Sequence, residues 1–408
     1  MKHLAAIGLL VLCLALQGSR AVTGQPSNVP PTVLLESRAA VLRISLEGGV
    51  LSDFHLAGDQ VNPLRGMGHF LCLDRWGQPS EAEGKNGMPF HGEASGVRWR
   101  LTRPPERRDG GVEAEMTAEL PMAGLEVRRK VRMPDNSPLA VVREEVTNLN
   151  RLGRIFNIVQ HPTVGAPFLD AETRVDVGAG RGFMQSSPLP NPERPEVRWP
   201  GALHHGKRVD MRRLSDDPNP NVVSYEVLGA LGWTTALAPR QQRLLGYIWK
   251  TAEYPWFNAW RHVEKGKPAL RGLEFGTTGL HQPFPVLVAK GRIFDLPLYT
   301  YLDADESVTR SYGMFLMRTP DGFEGVKSVS LEGAEVVLRE RGGAGRRLSL
   351  PVEGPAALDT PRPDLPLEAG ERSGRRPAWA ATRHSITPKA ARSDLISEGW
   401  PSGELRRR

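Results

Sequence analysis

From about residue 32 to residue 340 the chain alternates apolar and polar side chains with a period of two. Val41-Leu42-Arg43-Ile44-Ser45-Leu46 runs this way up to Gly48-Gly49, and Val112 to Leu120 repeats the pattern with acidic or polar residues between the apolar ones. Successive side chains of a strand point to opposite faces, so such a run lays one face on a core and offers the other to water or a ligand. Pro121-Met122-Ala123-Gly124 turns the chain into Leu125-Glu126-Val127-Arg128-Arg129-Lys130-Val131. Pro134-Asp135-Asn136-Ser137-Pro138 turns it again into Leu139 to Thr147. Three successive strands joined by tight turns predict an antiparallel meander. Further strands are predicted at Val222 to Leu228, Arg243 to Lys250, Val286 to Ala289, Leu296 to Tyr301 and Ser307 to Met317. No long stretch carries helical periodicity with caps, so the fold class is all-β, a sandwich or barrel of one large domain over residues 32–340.

The ends of the chain differ from this body. Lys2 and His3 precede thirteen apolar residues, Leu4 to Leu16, followed by Ser19-Arg20-Ala21. A bilayer-spanning helix needs roughly 20 apolar residues, so residues 1–21 read as a cleaved signal peptide and the mature chain as free of stable membrane insertion. Cys72 is then its single thiol, which excludes an intramolecular disulfide and fits a bacterial periplasmic or secreted protein. From Gly342-Gly343-Ala344-Gly345 onward the sequence is rich in Pro, Gly, Arg and Ala, and residues 341–408 are expected to be a disordered basic tail. Charge supports the same division. Of the net +7, residues 1–21 carry +2 and residues 341–408 carry +5, while residues 22–340 hold 38 charges of each sign. A neutral body argues against nucleic acid as a partner, because that partner requires clustered positive charge on the folded surface.

Four segments carry candidate chemistry. His91 sits in Asn86-Gly87-Met88-Pro89-Phe90-His91-Gly92-Glu93, where a solvated loop histidine is the plainer reading. His161, after Phe156-Asn157-Ile158-Val159-Gln160, is expected to end a strand, and is either a buried, hydrogen-bonded histidine or a site residue. Glu274, between Leu273 and Phe275, can face either water or a cleft, and water is the plainer reading from its strand alone. Tyr247, Trp249, Tyr254, Trp256, Phe257 and Trp260 surround Asn258; such rings fill cores, and they also stack on the C–H faces of sugars. No phosphate loop, serine nucleophile elbow or zinc-binding helix is present, and no metal or other cofactor is expected.

The order of these parts resembles the aldose 1-epimerase (galactose mutarotase-like) superfamily. Val146-Thr147-Asn148 leads to Asn157-Ile158-Val159-Gln160-His161, an Asn86 to Gly92 segment with its histidine lies upstream, and Glu274 lies downstream. Gly48-Gly49 followed by Asn62-Pro63-Leu64 is similar to the family's opening. The resemblance spans roughly residues 35–320 and implies a β-supersandwich of large antiparallel sheets with a sugar site. It implies Glu274 as base, His161 as principal acid and His91 as a second hydrogen-bond donor at the ring oxygen, with acid and base on opposite sides of the sugar. Arg75 would bind a hydroxyl, with Trp249, Trp256, Asn258 and Trp260 as further sugar contacts. The partner implied is a monosaccharide or related carbohydrate, and the activity is interconversion of anomers. One departure stands out: Trp233 and Tyr254-Pro255-Trp256-Phe257-Asn258 occupy the stretch where the family carries a sugar-binding aspartate. The alternative is therefore a carbohydrate-binding protein without catalysis on the same fold.

Overall fold

In a computed structural model the described residues are 31–352, and the signal-peptide reading and the chain from residue 353 onward lie outside them. The predicted meander is present: Gly111–Leu120, Leu125–Pro134 and Leu139–Asn148 pair antiparallel in sequence order. With Arg100–Arg108, Ser307–Arg318, Arg243–Lys250, Leu231–Ala238 and Arg174–Val177 they form an eight-stranded sheet. An eleven-stranded sheet lies against it, and its central run is His69–Asp74, Arg154–Gly165, Lys267–Gly276, Trp256–Glu264 and Val222–Val227, each antiparallel to the next.

The main core lies between these sheets. Leu71, Leu73, Ile158, Leu273 and Phe275 from the larger sheet meet Val127, Val142, Leu245, Tyr247 and Met314 from the smaller. Period-two alternation turns the intervening residues Phe70, Cys72, Val159, His161 and Glu274 to the other face of the larger sheet. A buried polar line crosses the core behind that face. Arg129 and Glu144 pair at 2.7 Å, and Gln160 donates to Glu144 at 2.6 Å and meets His69 at 3.0 Å. These partners satisfy polar groups that would otherwise be costly inside, and they fix the strand that carries His161.

Three expectations are corrected. Val286 to Ala289 is helical within Phe284–Lys290: Phe284 and Leu287 bury one stripe, Pro283 and Pro285 begin the turn, and Gly291 ends it at φ 72°. Leu296 to Tyr301 divides into two short strands, Leu296–Pro297 and Thr300–Leu302. The folded body also passes residue 340. Gly342 and Gly343 adopt positive φ and return the chain into the strand Arg347–Pro351, which closes a three-stranded sheet with Val326–Glu332 and Glu335–Glu340. Leu350 and Val352 there join Val336 and Leu338 in covering Leu244, Ile248 and Phe315 on the outer face of the smaller sheet. The glycine-rich run is a turn, not the start of a tail.

Candidate active site

Three adjacent strands deliver the centre. His161, from the middle of Arg154–Gly165 rather than its end, places Nε2 3.1 Å from Oε1 of Glu274 on the neighbouring strand. Phe70, opposite His161 on the next strand, stacks on its ring at 4.2 Å and 18°. Gly272 leaves the carboxylate its space, since a Cβ there would lie 2.7 Å from Glu274 Oε1. Trp76, just past the strand His69–Asp74, donates its indole N–H to Glu274 Oε2 at 2.6 Å. Thr163, two residues beyond His161 and on the same face, meets its Nδ1 at 3.1 Å.

Two loops close over this centre. His91 has φ 66°, and Gly92 at φ 74° runs so close to the next strand that a Cβ would sit 2.2 Å from the Leu73 carbonyl. Only glycine fits that approach, and it sets His91 with its ring 5.3 Å from that of His161. His281, on the loop after Lys267–Gly276, lies edge-on to Trp76 at 4.6 Å and 5.7 Å from His91. Trp260 completes the rim, 5.9 Å from His161.

Burial decides the protonation. It pushes the Glu274 carboxyl up to about 8, against the lowering effect of the Trp76 N–H. Burial holds His161 down at about 3 and His281 at about 4, and keeps His91 well below the usual histidine value, with His161 and His281 adding to the last. Near neutral pH the centre is therefore a protonated carboxyl beside neutral imidazoles. His91 Nδ1 faces the Trp76 carbonyl, which only accepts, so the ring proton sits on Nδ1 and Nε2 is left as an acceptor. In this arrangement neutral His91 turns an acceptor to the centre, whereas the resemblance implies a donor there. His161 and Glu274 touch each other directly, where the resemblance implies an acid and a base on opposite sides of a sugar.

The remaining sequence candidates separate. Arg75 is buried and held by Asp74 at 3.0 Å and Glu83 at 2.9 Å, under the Phe284 ring, so its guanidinium is committed to carboxylates rather than open to a hydroxyl. Trp249 stacks on Phe275 at 4.2 Å between the sheets. Trp256 lies in an apolar cluster with Phe183, Leu280 and Leu298, its N–H given to the Pro297 carbonyl. Asn258 is buried, accepting from Ser224 and donating to the Thr278 carbonyl. Of the four proposed sugar contacts in that segment, Trp260 alone stands at the centre. Sequence reasoning did not single out Trp76, Thr163 or His281. Trp76 adjoins Arg75, Thr163 shares a strand face with His161, and His281 follows the glutamate segment by one short loop, so proximity to the chosen residues was the available signal.

No family model matches the sequence, and no curated protein matches it. Solved structures do. A putative aldose 1-epimerase from Escherichia coli K12 superposes with a TM-score of 0.52 at 14% identity, covering 71% of this chain and 99% of that one. A galactose mutarotase related enzyme from Lactobacillus acidophilus gives 0.51 at 14% identity, with the same two coverages. A putative aldose 1-epimerase from Klebsiella pneumoniae gives 0.51 at 15%, covering 69% of this chain and 78% of that one. At these identities the likeness speaks for architecture: the chain has the galactose mutarotase-like fold.

Proposed function

We propose that the protein interconverts the anomers of a free sugar by general acid–base catalysis, with Glu274 as base and His161 as acid. The contact of His161 Nε2 with Glu274 Oε1 at 3.1 Å carries this reading. Anomer exchange removes the proton from the C1 hydroxyl, opens the ring with protonation of its oxygen, turns the C1–C2 bond and recloses. It needs one group that takes a proton and one that gives it, both effective near neutral pH. A carboxyl raised by burial is a stronger base once ionised than an exposed one, and a histidine in contact with it shares the proton it receives. In the resting protein the two groups satisfy each other, so the sugar's oxygens must enter between them. His91 Nε2 and the Trp260 face supply a hydroxyl acceptor and a stacking surface.

The test is NMR exchange spectroscopy on a panel of hexoses and pentoses. Exchange faster than buffer with at least one sugar, abolished by Glu274→Gln, is the expected result. Rates equal to buffer for every sugar would end the catalytic reading. The closed His161–Glu274 contact favours a second reading, sugar binding without turnover, and calorimetric binding in the absence of exchange would select it. We also propose that the protein acts outside the cytoplasm after loss of residues 1–21, for which the mass of the mature chain recovered from a periplasmic fraction is the check.

A further inference from the structure

We propose that Thr163 is a positioning residue which, by reversing its hydroxyl, lets the Glu274–His161 pair hold either one or two protons with every polar atom satisfied. The idea rests on the acid–base reading above. Thr163 is fully buried, its Oγ1 meets His161 Nδ1 at 3.1 Å, and that ring nitrogen is its hydroxyl's one hydrogen-bond partner among the described residues. A hydroxyl both donates and accepts, whereas a ring nitrogen does one or the other.

The two states follow from counting protons. With two on the pair, Glu274 gives its O–H to Nε2, and His161 carries its own proton on Nδ1 and gives it to Thr163 Oγ1. With one, the carboxylate accepts from Nε2–H, Nδ1 is bare, and Thr163 turns its O–H toward Nδ1. In the reaction the proton leaving the sugar's C1 hydroxyl raises the count from one to two, and protonation of the ring oxygen returns it to one. Among the described residues no other side chain in contact with the pair makes this adjustment. Trp76 only donates, while His91, His281 and, from the same sheet, Cys72 and His69 are the titratable groups around it. His69 lies on the opposite face with its Nε2 engaged by Gln160, and Cys72 is pushed up by burial beside Glu274.

Thr163→Val keeps the side-chain shape and removes the hydroxyl. The two-proton state then buries an Nδ1–H without an acceptor, whereas the one-proton state leaves only a bare nitrogen. An unsatisfied buried donor is costly, so the pair should lose its proton about one pH unit lower than in the wild type. Long-range proton–nitrogen NMR of the His161 ring, assigned against His161→Asn, reads this directly. In the wild type the ring proton moves from Nδ1 to Nε2 as the pair titrates near 8. Thr163→Val should hold it on Nε2 to lower pH, and Thr163→Ser should restore the wild-type course. Where sugar exchange is measurable, kcat for Thr163→Val on the plateau above pH 8, where the pair holds one proton in both proteins, should fall by up to about tenfold with KM changed less than about twofold, as for a weaker base rather than lost binding. A Thr163→Val protein that titrates as wild type, or a Thr163→Ser protein that behaves as Thr163→Val, overturns the proposal. A wild-type protein inactive on every sugar instead removes the catalytic reading, and the NMR titration still decides the role of Thr163.

Discussion

Glu274 shows how one residue couples activity to stability. Its folded carboxyl titrates near 8, against an ordinary value of 4.5. The folded state therefore keeps this proton above pH 4.5 while the unfolded chain gives it up, so stability from this group is full below 4.5 and is lost as pH rises through about 8. Glu274→Gln has no proton to lose. Its unfolding free energy relative to wild type should climb between pH 5 and 8, at up to about 1.4 kcal/mol per unit, and level off above. Urea denaturation of both proteins across that range measures it, and a difference that does not change with pH would show that Glu274 is ionised in the fold. Activity has the opposite sign, since the base must be ionised: the wild-type exchange rate should rise toward pH 8 and then flatten.

At the scale of elements, the site is a few strand faces plus two loops, and the loops depend on one ion cluster. Arg75 ties the end of His69–Asp74 to Glu83, which also caps the helix Glu81–Lys85 through Ser80. Although its partial burial acts the other way, Glu83 is held down at about 2 by Arg75 and Ser80. Arg75 also lies under Phe284, at the start of the helix that follows His281. Arg75→Gln should thus loosen the segments bearing Trp76, His91 and His281. Breaking a buried pair costs about 3–5 kcal/mol, and calorimetry should show a thermal midpoint lower by roughly 10 °C. If Arg75 instead held the sugar, the variant would keep its midpoint and raise KM. The contrast explains what the sequence could reveal. Strand faces were legible because period two is a local property, but that period left Glu274 open between water and a cleft; it was the order of motifs resembling the family that singled out His161 and Glu274, which do meet. The helix at residues 284–290 was not, because Val286-Leu287-Val288 has strand composition and its fate is set by Pro283, Gly291 and burial against distant residues. Arg75 was given a hydroxyl by the resemblance, and its pairing with Asp74 and Glu83 shows only in the fold; Trp249 and Trp256 looked like sugar platforms because composition does not say which face of a sheet a ring will join.

Residues 31–352 as a whole are a layered assembly in which the site layer is backed by the main core, and the smaller sheet is covered in turn by the last three strands described. That final layer is where the sequence boundary fell short. Leu348 and Leu350 alternate with Arg347 and Ser349, a period-two signal only five residues long, which the surrounding glycines and prolines obscured. Without Arg347–Pro351 the strand Glu335–Glu340 loses a partner and becomes an edge, and the apolar patch containing Leu244, Ile248 and Phe315 loses part of its cover. Each aliphatic side chain taken from water contributes about 1.5–3 kcal/mol, so the loss of Leu350 and Val352 alone costs several. A chain ended at Glu340 should therefore unfold roughly 10 °C below one ended at Val352, and should tend to associate through its exposed edge strand. Paired calorimetry and sedimentation of the two truncations test this. Equal midpoints would mean that the closing strand is dispensable and that the folded body does end where composition changes.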